Sequence, residues 1–243
     1  MVYEYTNLSN RTKKALLILH QARSRPGDLG TKLLARGYSL DIRKPALGEK
    51  LPETMNDHDL AVIFGGPMSA NDSDEYMKKE INWIGKVLQS EVPFLGICLG
   101  AQILVKYLGC KVEKNSNELS EIGFYKIKPT ENGIKMFQSQ YVFYQFHTEG
   151  FELPSDCELL ARGDIFTNQA FKYKNCYGLQ FHPEVNIYLH LKWLFLVLIK
   201  KPHILFRNGA QNIFYQLLLR IKYNHSISRW LDDFLDNHLL KEQ

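Results

Sequence analysis

The 243-residue chain has only four cysteines, Cys98, Cys110, Cys157 and Cys176, and no two of them form a C-x-x-C pair. That scatter argues against a zinc site and against a disulfide framework. Long apolar runs are also missing. The most apolar stretch, Trp193 to Ile199, is seven residues, far short of the ~20 needed to span a bilayer. Charge of one sign is not massed anywhere: 30 Lys and Arg against 26 Asp and Glu leave a net charge of +4. With basic and acidic residues interspersed, neither nucleic acid nor a membrane is expected as a partner. The segment from Met1 to Lys14 is polar and lacks the apolar core of a secretory signal, so a reduced, cytoplasmic setting is expected. No internal repeat or low-complexity segment occurs. What remains is ordinary globular composition, 45% apolar and 23% charged, in a chain long enough to bury roughly 70–75% of its unfolded surface without a staple.

Hydrophobic patterning orders the chain. After a polar lead-in over residues 1–13, Ala15 to Leu19 is a continuous apolar run, as in a strand buried on both faces. A helical spacing over Asp28 to Arg36 stops at Gly37. Short strands are predicted over Tyr38–Ile42, Leu60–Phe64 and Val92–Ile97, with helices over Glu75–Leu88 and Leu99–Leu108. This alternation predicts an α/β fold, a doubly wound and mostly parallel sheet with helices on both faces. From Lys111 to Phe181 the runs Phe124–Ile127, Tyr141–Tyr144, Ala170–Tyr173 and Tyr177–Phe181 suggest antiparallel additions, some in the main sheet and others covering an edge. Helical patterns return at about 186–199, 208–223 and 227–240. The last carries a stripe of Leu231, Phe234, Leu235 and Leu239, expected to pack on the chain's own sheet rather than to dock a partner. The expected organisation is a main domain over 14–199 with a helical C-terminal extension over 200–243 packed on it.

Three segments carry chemistry. Gly96-Ile97-Cys98-Leu99-Gly100 has the G-x-nucleophile-x-G form, between a buried strand and a helix. The turn is tight enough to demand glycine on both sides, and a helix N-terminus aims free N–H groups at Cys98. The second is His182-Pro183-Glu184 at a strand end, where a period of two puts His182 and Glu184 on one face. A carboxylate there can hold the imidazole while the imidazole acts as base to a thiol. The third is the loop Phe64-Gly65-Gly66-Pro67-Met68-Ser69, at the sheet edge where α/β sites gather. Its backbone N–H groups suit an oxyanion, and it lacks the Lys-Ser/Thr ending of a phosphate loop. Each segment alone also has a plain structural reading, as a buried thiol, a surface turn or a glycine turn. The remaining histidines, His20, His58, His190, His203, His225 and His238, stand at no ligand spacing and are read as ordinary. Cys110, Cys157 and Cys176 are read as buried thiols.

Together, Cys98-Leu-Gly-Ala-Gln102 and Gln180-Phe-His-Pro-Glu184, in that order after the glycine loop, resemble the class I glutamine amidotransferases. The similarity is closest to the amidotransferase domain of GMP synthase and its stand-alone relatives, and covers Leu16 to Glu184. The resemblance implies a flavodoxin-like class I amidotransferase fold, with Cys98 as nucleophile, His182 as general base and acid, and Glu184 as third member. It further implies an oxyanion hole from the backbone of Gly66 and Leu99, and Gln102, Gly65 and His147 around the substrate. His147-Thr-Glu-Gly-Phe151 departs from the family pattern, since Thr148 stands where relatives carry a small glycine. No metal or cofactor is expected. The chain lacks the S-G-G-x-D-S nucleotide loop of a complete GMP synthase, so a separate synthetase subunit is the expected partner. Two alternatives stand beside glutamine hydrolysis: a stand-alone hydrolase of γ-glutamyl peptides or γ-glutamyl amines using the same triad, and an inactive binding module on this fold.

Overall fold

The computed structural model describes residues 11–241; residues 1–10, most of the polar lead-in, and 242–243 lie outside the described residues. The first half comprises β1 (Lys14–Ile18), α1 (Gly27–Ala35), β2 (Ser39–Arg43), β3 (Leu60–Ile63), α2 (Glu75–Ser90), β4 (Phe94–Ile97) and α3 (Leu99–Tyr107). It alternates strands with helices, except that β2 connects to β3 through a short 3-10 turn over Pro45–Leu47. Then come β5 (Val112–Lys114), β6 (Glu121–Lys126), β7 (Lys128–Pro129), a short α4 (Ile134–Phe137), β8 (Val142–His147) and β9 (Glu149–Phe151). The chain continues through β10 (Glu158–Arg162), β11 (Asn168–Tyr173), β12 (Cys176–Leu179), α5 (Ile187–Lys200) and α6 (Ile213–Phe234).

The main sheet has eight strands in the order β2-β1-β3-β4-β12-β11-β10-β7. Its first five strands run parallel, and β11, β10 and β7 are added antiparallel. Alternate residues of each strand feed opposite layers, as the period of two requires. Ala15, Leu17, Leu60, Val62, Leu95 and Ile97 join one core with α1 and α6. Leu16, Ile18, Ala61, Ile63 and Phe94 join the other with α2 and α3. This is the doubly wound arrangement expected from the continuous apolar runs, which are apolar because both faces are covered.

The expected antiparallel additions divide between sheets, with one correction: the run over 177–181 lies parallel to β4 and is antiparallel only to β11. The runs over 170–173 and 177–181 enter the main sheet as β11 and β12, while β6 pairs with β8, and β5 with β9, outside it; Ile122 of β6 also bridges to Ala210. The C-terminal reading changes in one respect. In place of two helices over 208–223 and 227–240 there is one, Ile213–Phe234, running on into a π-helical turn over Leu235–Leu239. Asn224, His225 and Ser226 include neither glycine nor proline, and the Ser226 hydroxyl donates back to the Tyr223 carbonyl within the helix. Asn212 caps its start by accepting from the Phe214 N–H. Leu231, Phe234, Leu235 and Leu239 are all buried in the core shared with β1 and α1. Lys32 of α1 and Arg36, which caps its end, pair with Asp232 and Asp236 at the same contact. No helix among the described residues is long and apolar enough to cross a membrane.

Candidate active site

Cys98 lies between the end of β4 and the first residue of α3, with φ 52° and ψ −104°. Few non-glycine residues adopt this left-handed conformation, and it costs of order 1–3 kcal/mol. The flanking glycines make the turn feasible. A Cβ at Gly96 would lie 2.6 Å from the Gly100 carbonyl, and one at Gly100 would lie 2.1 Å from the Ile63 carbonyl oxygen. The Cys98 N–H donates to the Leu179 carbonyl at 2.7 Å, stitching the turn to the end of β12.

β12 is the immediate parallel neighbour of β4, with Leu179 level with Ile97. Two and four residues after Gln180, His182 and Glu184 therefore come out at the same sheet edge as Cys98. His182 Nδ1 is 2.8 Å from Glu184 Oε1, and both side chains are buried. That leaves Nε2 without a hydrogen-bond partner among the described residues. Burial alone would lower the His182 pKa, but the Glu184 carboxylate and Cys98 outweigh it and raise it to about 10. A thiol, an imidazole and a carboxylate so arranged can attack a carbonyl, move a proton and hold the resulting imidazolium.

The glycine loop completes the cluster. It follows β3, on the other side of β4. A Cβ at Gly65 would lie 2.7 Å from His182 Cε1 and 3.4 Å from the Cys98 Cβ, and one at Gly66 would lie 3.0 Å from the Leu99 side chain. Gly65, Gly66, Cys98, Leu99, His182 and Glu184 are thus brought together by three neighbouring parallel strands, at their carboxyl ends. A hollow of about 380 Å³ lined by Tyr38, Pro93, Tyr177 and His238 opens instead at the amino ends and has no part in this cluster.

The family model for class I glutamine amidotransferases matches residues 29–201. The chain belongs to this family. A glutamine amidotransferase-like protein of Salmonella typhimurium is 29% identical over 163 residues, which cover 63% of this chain and 67% of that protein. One component of the glutamine-hydrolysing GMP synthase of Methanococcus maripaludis is 37% identical over 129 residues, covering 51% of this chain and 64% of that component. The matched segments thus span about two thirds of these relatives' lengths. The crystal structure of a glutamine amidotransferase from Thermotoga maritima superposes with a TM-score of 0.84 at 26% identity, over 95% of this chain and all of the other.

In this member of the family the positions expected around the substrate are less uniform. Gln102 is buried, and its amide nitrogen donates to the Glu149 carbonyl at 3.1 Å and to Gln180 Oε1 at 3.3 Å. His147 lies in a polar network of its own. Its Nδ1 faces the Glu149 carbonyl at 2.9 Å, and its Nε2 faces Gln145 Oε1 at 3.1 Å and Glu121 Oε2 at 3.0 Å. Both ring nitrogens are therefore engaged by the protein.

Sequence reasoning passed over three groups at this site. Gln180 directs its amide nitrogen at Cys98 Sγ, 3.6 Å away; its place two residues before His182 on the same strand face was the available signal. Arg220 of α6 is buried, its guanidinium 4.8 Å above the Phe124 ring and 5.4 Å from the Tyr144 ring. Burial lowers its pKa to about 10, against the opposing pull of Tyr144, Glu184 and Asp28. His20, read as ordinary, is buried against Glu80 and touches the glycine loop.

Proposed function

We propose that this chain hydrolyses the γ-amide of glutamine through a thioester on Cys98, releasing ammonia to a separate synthetase subunit. The observation that carries this reading is the convergence of Cys98 with the His182–Glu184 pair at the carboxyl ends of the adjacent strands β4 and β12. Membership of the class I family and the likeness to a component of a glutamine-hydrolysing GMP synthase support it.

In this reading His182 takes the thiol proton and Cys98 Sγ attacks the γ-carbonyl carbon. A C–S bond forms, and the carbonyl π pair moves onto oxygen, where the backbone N–H groups of Gly66 and Leu99 receive it. His182, whose charged form Glu184 and Cys98 favour against the cost of burial, holds that proton and is the acid that meets the departing nitrogen. The C–N bond breaks, ammonia leaves with that proton, and the thioester remains. The now neutral imidazole takes a proton from water as the water attacks the thioester. Collapse of the second oxyanion breaks the C–S bond, and His182 returns the proton to Sγ, freeing glutamate and Cys98. Glu184 holds the ring by Nδ1 throughout and balances its positive charge.

Gln102 and Gly65 border the substrate. His147, with both nitrogens engaged, acts through the shape of the wall rather than by direct donation. Residues 200–241 read as part of the same folding unit as 14–199, a reading supported by the core side chains that α6 supplies over β12 and α1. No cofactor or metal takes part, and the expected compartment is the cytoplasm.

The test is ammonia release from glutamine by the purified chain, alone and with the synthetase protein that copurifies with it. Turnover of glutamine that rises many-fold with that partner supports the reading. Slow turnover of glutamine beside fast turnover of a γ-glutamyl peptide assigns the chain to peptide hydrolysis instead. No hydrolysis of either compound, with or without the partner, leaves a binding module.

A further inference from the structure

His20 follows β1, and Gly65 lies just past the end of β3. These strands are parallel neighbours with Ile18 opposite Ile63, and the Phe64 N–H donates to the Ile18 carbonyl at 3.0 Å. The register places the His20 ring beside the glycine loop. Its Nδ1 is 3.3 Å from the Gly65 carbonyl oxygen, and its Nε2 is 2.9 Å from Glu80 Oε1 on α2. Both side chains are completely buried. The Gly65 carbonyl oxygen can only accept, so Nδ1 carries the hydrogen that lies between them, while Nε2 and Glu80 Oε1 share the other contact.

We propose that His20 and Glu80 are positioning residues that aim the Gly66 N–H at the oxyanion. This rests on the reading above in which that N–H is an oxyanion donor. The link is the rigid peptide plane. No peptide bond among the described residues is cis, and in a trans peptide the carbonyl of one residue and the N–H of the next point in opposite directions. Fixing the Gly65 oxygen on His20 therefore fixes the direction of the Gly66 N–H on the opposite side. Two successive glycines cannot do this for themselves, since each rotates freely about its backbone. A Cβ at Gly66 would lie 3.0 Å from the His20 Cβ, so the imidazole stem also forms the floor beneath the loop. Glu80 holds the far ring nitrogen and so sets the ring plane that the Gly65 carbonyl meets.

The experiment compares two reactions at the same thiol. Glutamine hydrolysis passes through an oxyanion; alkylation of Cys98 by iodoacetamide is a displacement at carbon that makes none. His20→Ala is expected to lower kcat for glutamine about 10²-fold, the scale of losing one oxyanion donor. KM and the alkylation rate are expected to stay within about two- to threefold of the wild type. His20→Asn, whose amide nitrogen can reach the position of Nδ1, recovers most of the lost kcat. Glu80→Gln, which keeps the side-chain shape, lowers kcat several-fold with alkylation unchanged, and carries the test if His20→Ala does not fold. Unchanged kcat in folded His20→Ala and Glu80→Gln, with a wild type that hydrolyses glutamine, overturns the proposal and leaves the proposed function standing. A parallel fall in kcat and alkylation also overturns it, since that marks general disruption of the site. A wild-type protein that alkylates at Cys98 but hydrolyses no γ-glutamyl amide overturns both.

Discussion

Gly100 approaches Ile63 so closely that a methyl group on residue 100 would sit 2.1 Å from the Ile63 carbonyl oxygen. This contact presses the start of α3 against the end of β3, and it places Leu99 beside the glycine loop. Gly100→Ala must push the helix away. It is expected to cost about 1–3 kcal/mol of stability, as overpacking does, and to lower glutamine turnover further than the stability loss explains. Urea denaturation and steady-state kinetics on the same preparation check this. Wild-type values in both would show that the close packing is dispensable.

Glu184 and His182 divide their work unequally, and the division can be measured. Glu184→Gln removes a carboxylate that holds the His182 pKa up at about 10. The imidazole pKa should fall, because burial, which lowers it, is then less opposed. The pH profile of Cys98 alkylation should move with it. Turnover should fall in both mutants, and His182→Ala should lose more, because His182 carries the proton while Glu184 orients the ring and balances its charge. Equal losses in the two variants would contradict the assigned roles.

The elements buried on both faces were legible in the sequence, for a physical reason. Ala15–Leu19 and Leu60–Phe64 are apolar without interruption because helices cover both sides of those strands. Cys98, His182 and Glu184 were legible because a strained turn and a two-residue spacing leave local marks. His20 and Glu80 were not: they meet across 60 residues of chain, and nothing next to either one signals the other. Arg220 was hidden similarly, since an arginine in a helical pattern reads as solvated unless the rings that receive it, Phe124 and Tyr144, are known. Strands β5 and β9 have three residues each, too few for a period of two to show. The join at residues 224–226 looked like a break because it is polar, but a polar helix face turned to solvent has the same composition.

His190 gives a pH dependence to the contact between α5 and α6. Its Nε2 faces Gln216 Oε1 at 3.4 Å, and Arg220 Nε donates to its Nδ1 at 3.5 Å. Burial first, and then Arg220, lower its pKa to about 4. The folded state therefore favours neutral His190. Its contribution is complete above the unfolded value near 6.5 and is lost as pH falls from there toward 4. In urea denaturation, the stability gap between wild type and His190→Gln should shift against the wild type by roughly 1–3 kcal/mol between pH 7 and pH 4. A gap that does not change with pH would rule out this titration.

Trp230 ties the C-terminal helix to the centre of the molecule. Its indole stacks on Phe137 and Phe234 at 5.7 and 5.2 Å between centroids, meets Phe143 edge-on, and donates to the Met136 carbonyl at 2.9 Å. Trp230→Ala should cost about 3–5 kcal/mol, read as a lower denaturation midpoint. A change under 1 kcal/mol would mean that α6 is an accessory rather than part of the core.

The thioester itself can be intercepted. Burial pushes the Cys157 and Cys176 thiols up to about 12, which leaves them poor nucleophiles at neutral pH. Wild-type protein incubated with glutamine and hydroxylamine, with the synthetase partner supplied, should release ammonia and divert part of the glutamate product into γ-glutamyl hydroxamate. Cys98→Ala, folded as judged by its denaturation curve, should form neither. Ammonia or hydroxamate production that survives in Cys98→Ala would contradict the assignment of Cys98 as the acyl-carrying nucleophile.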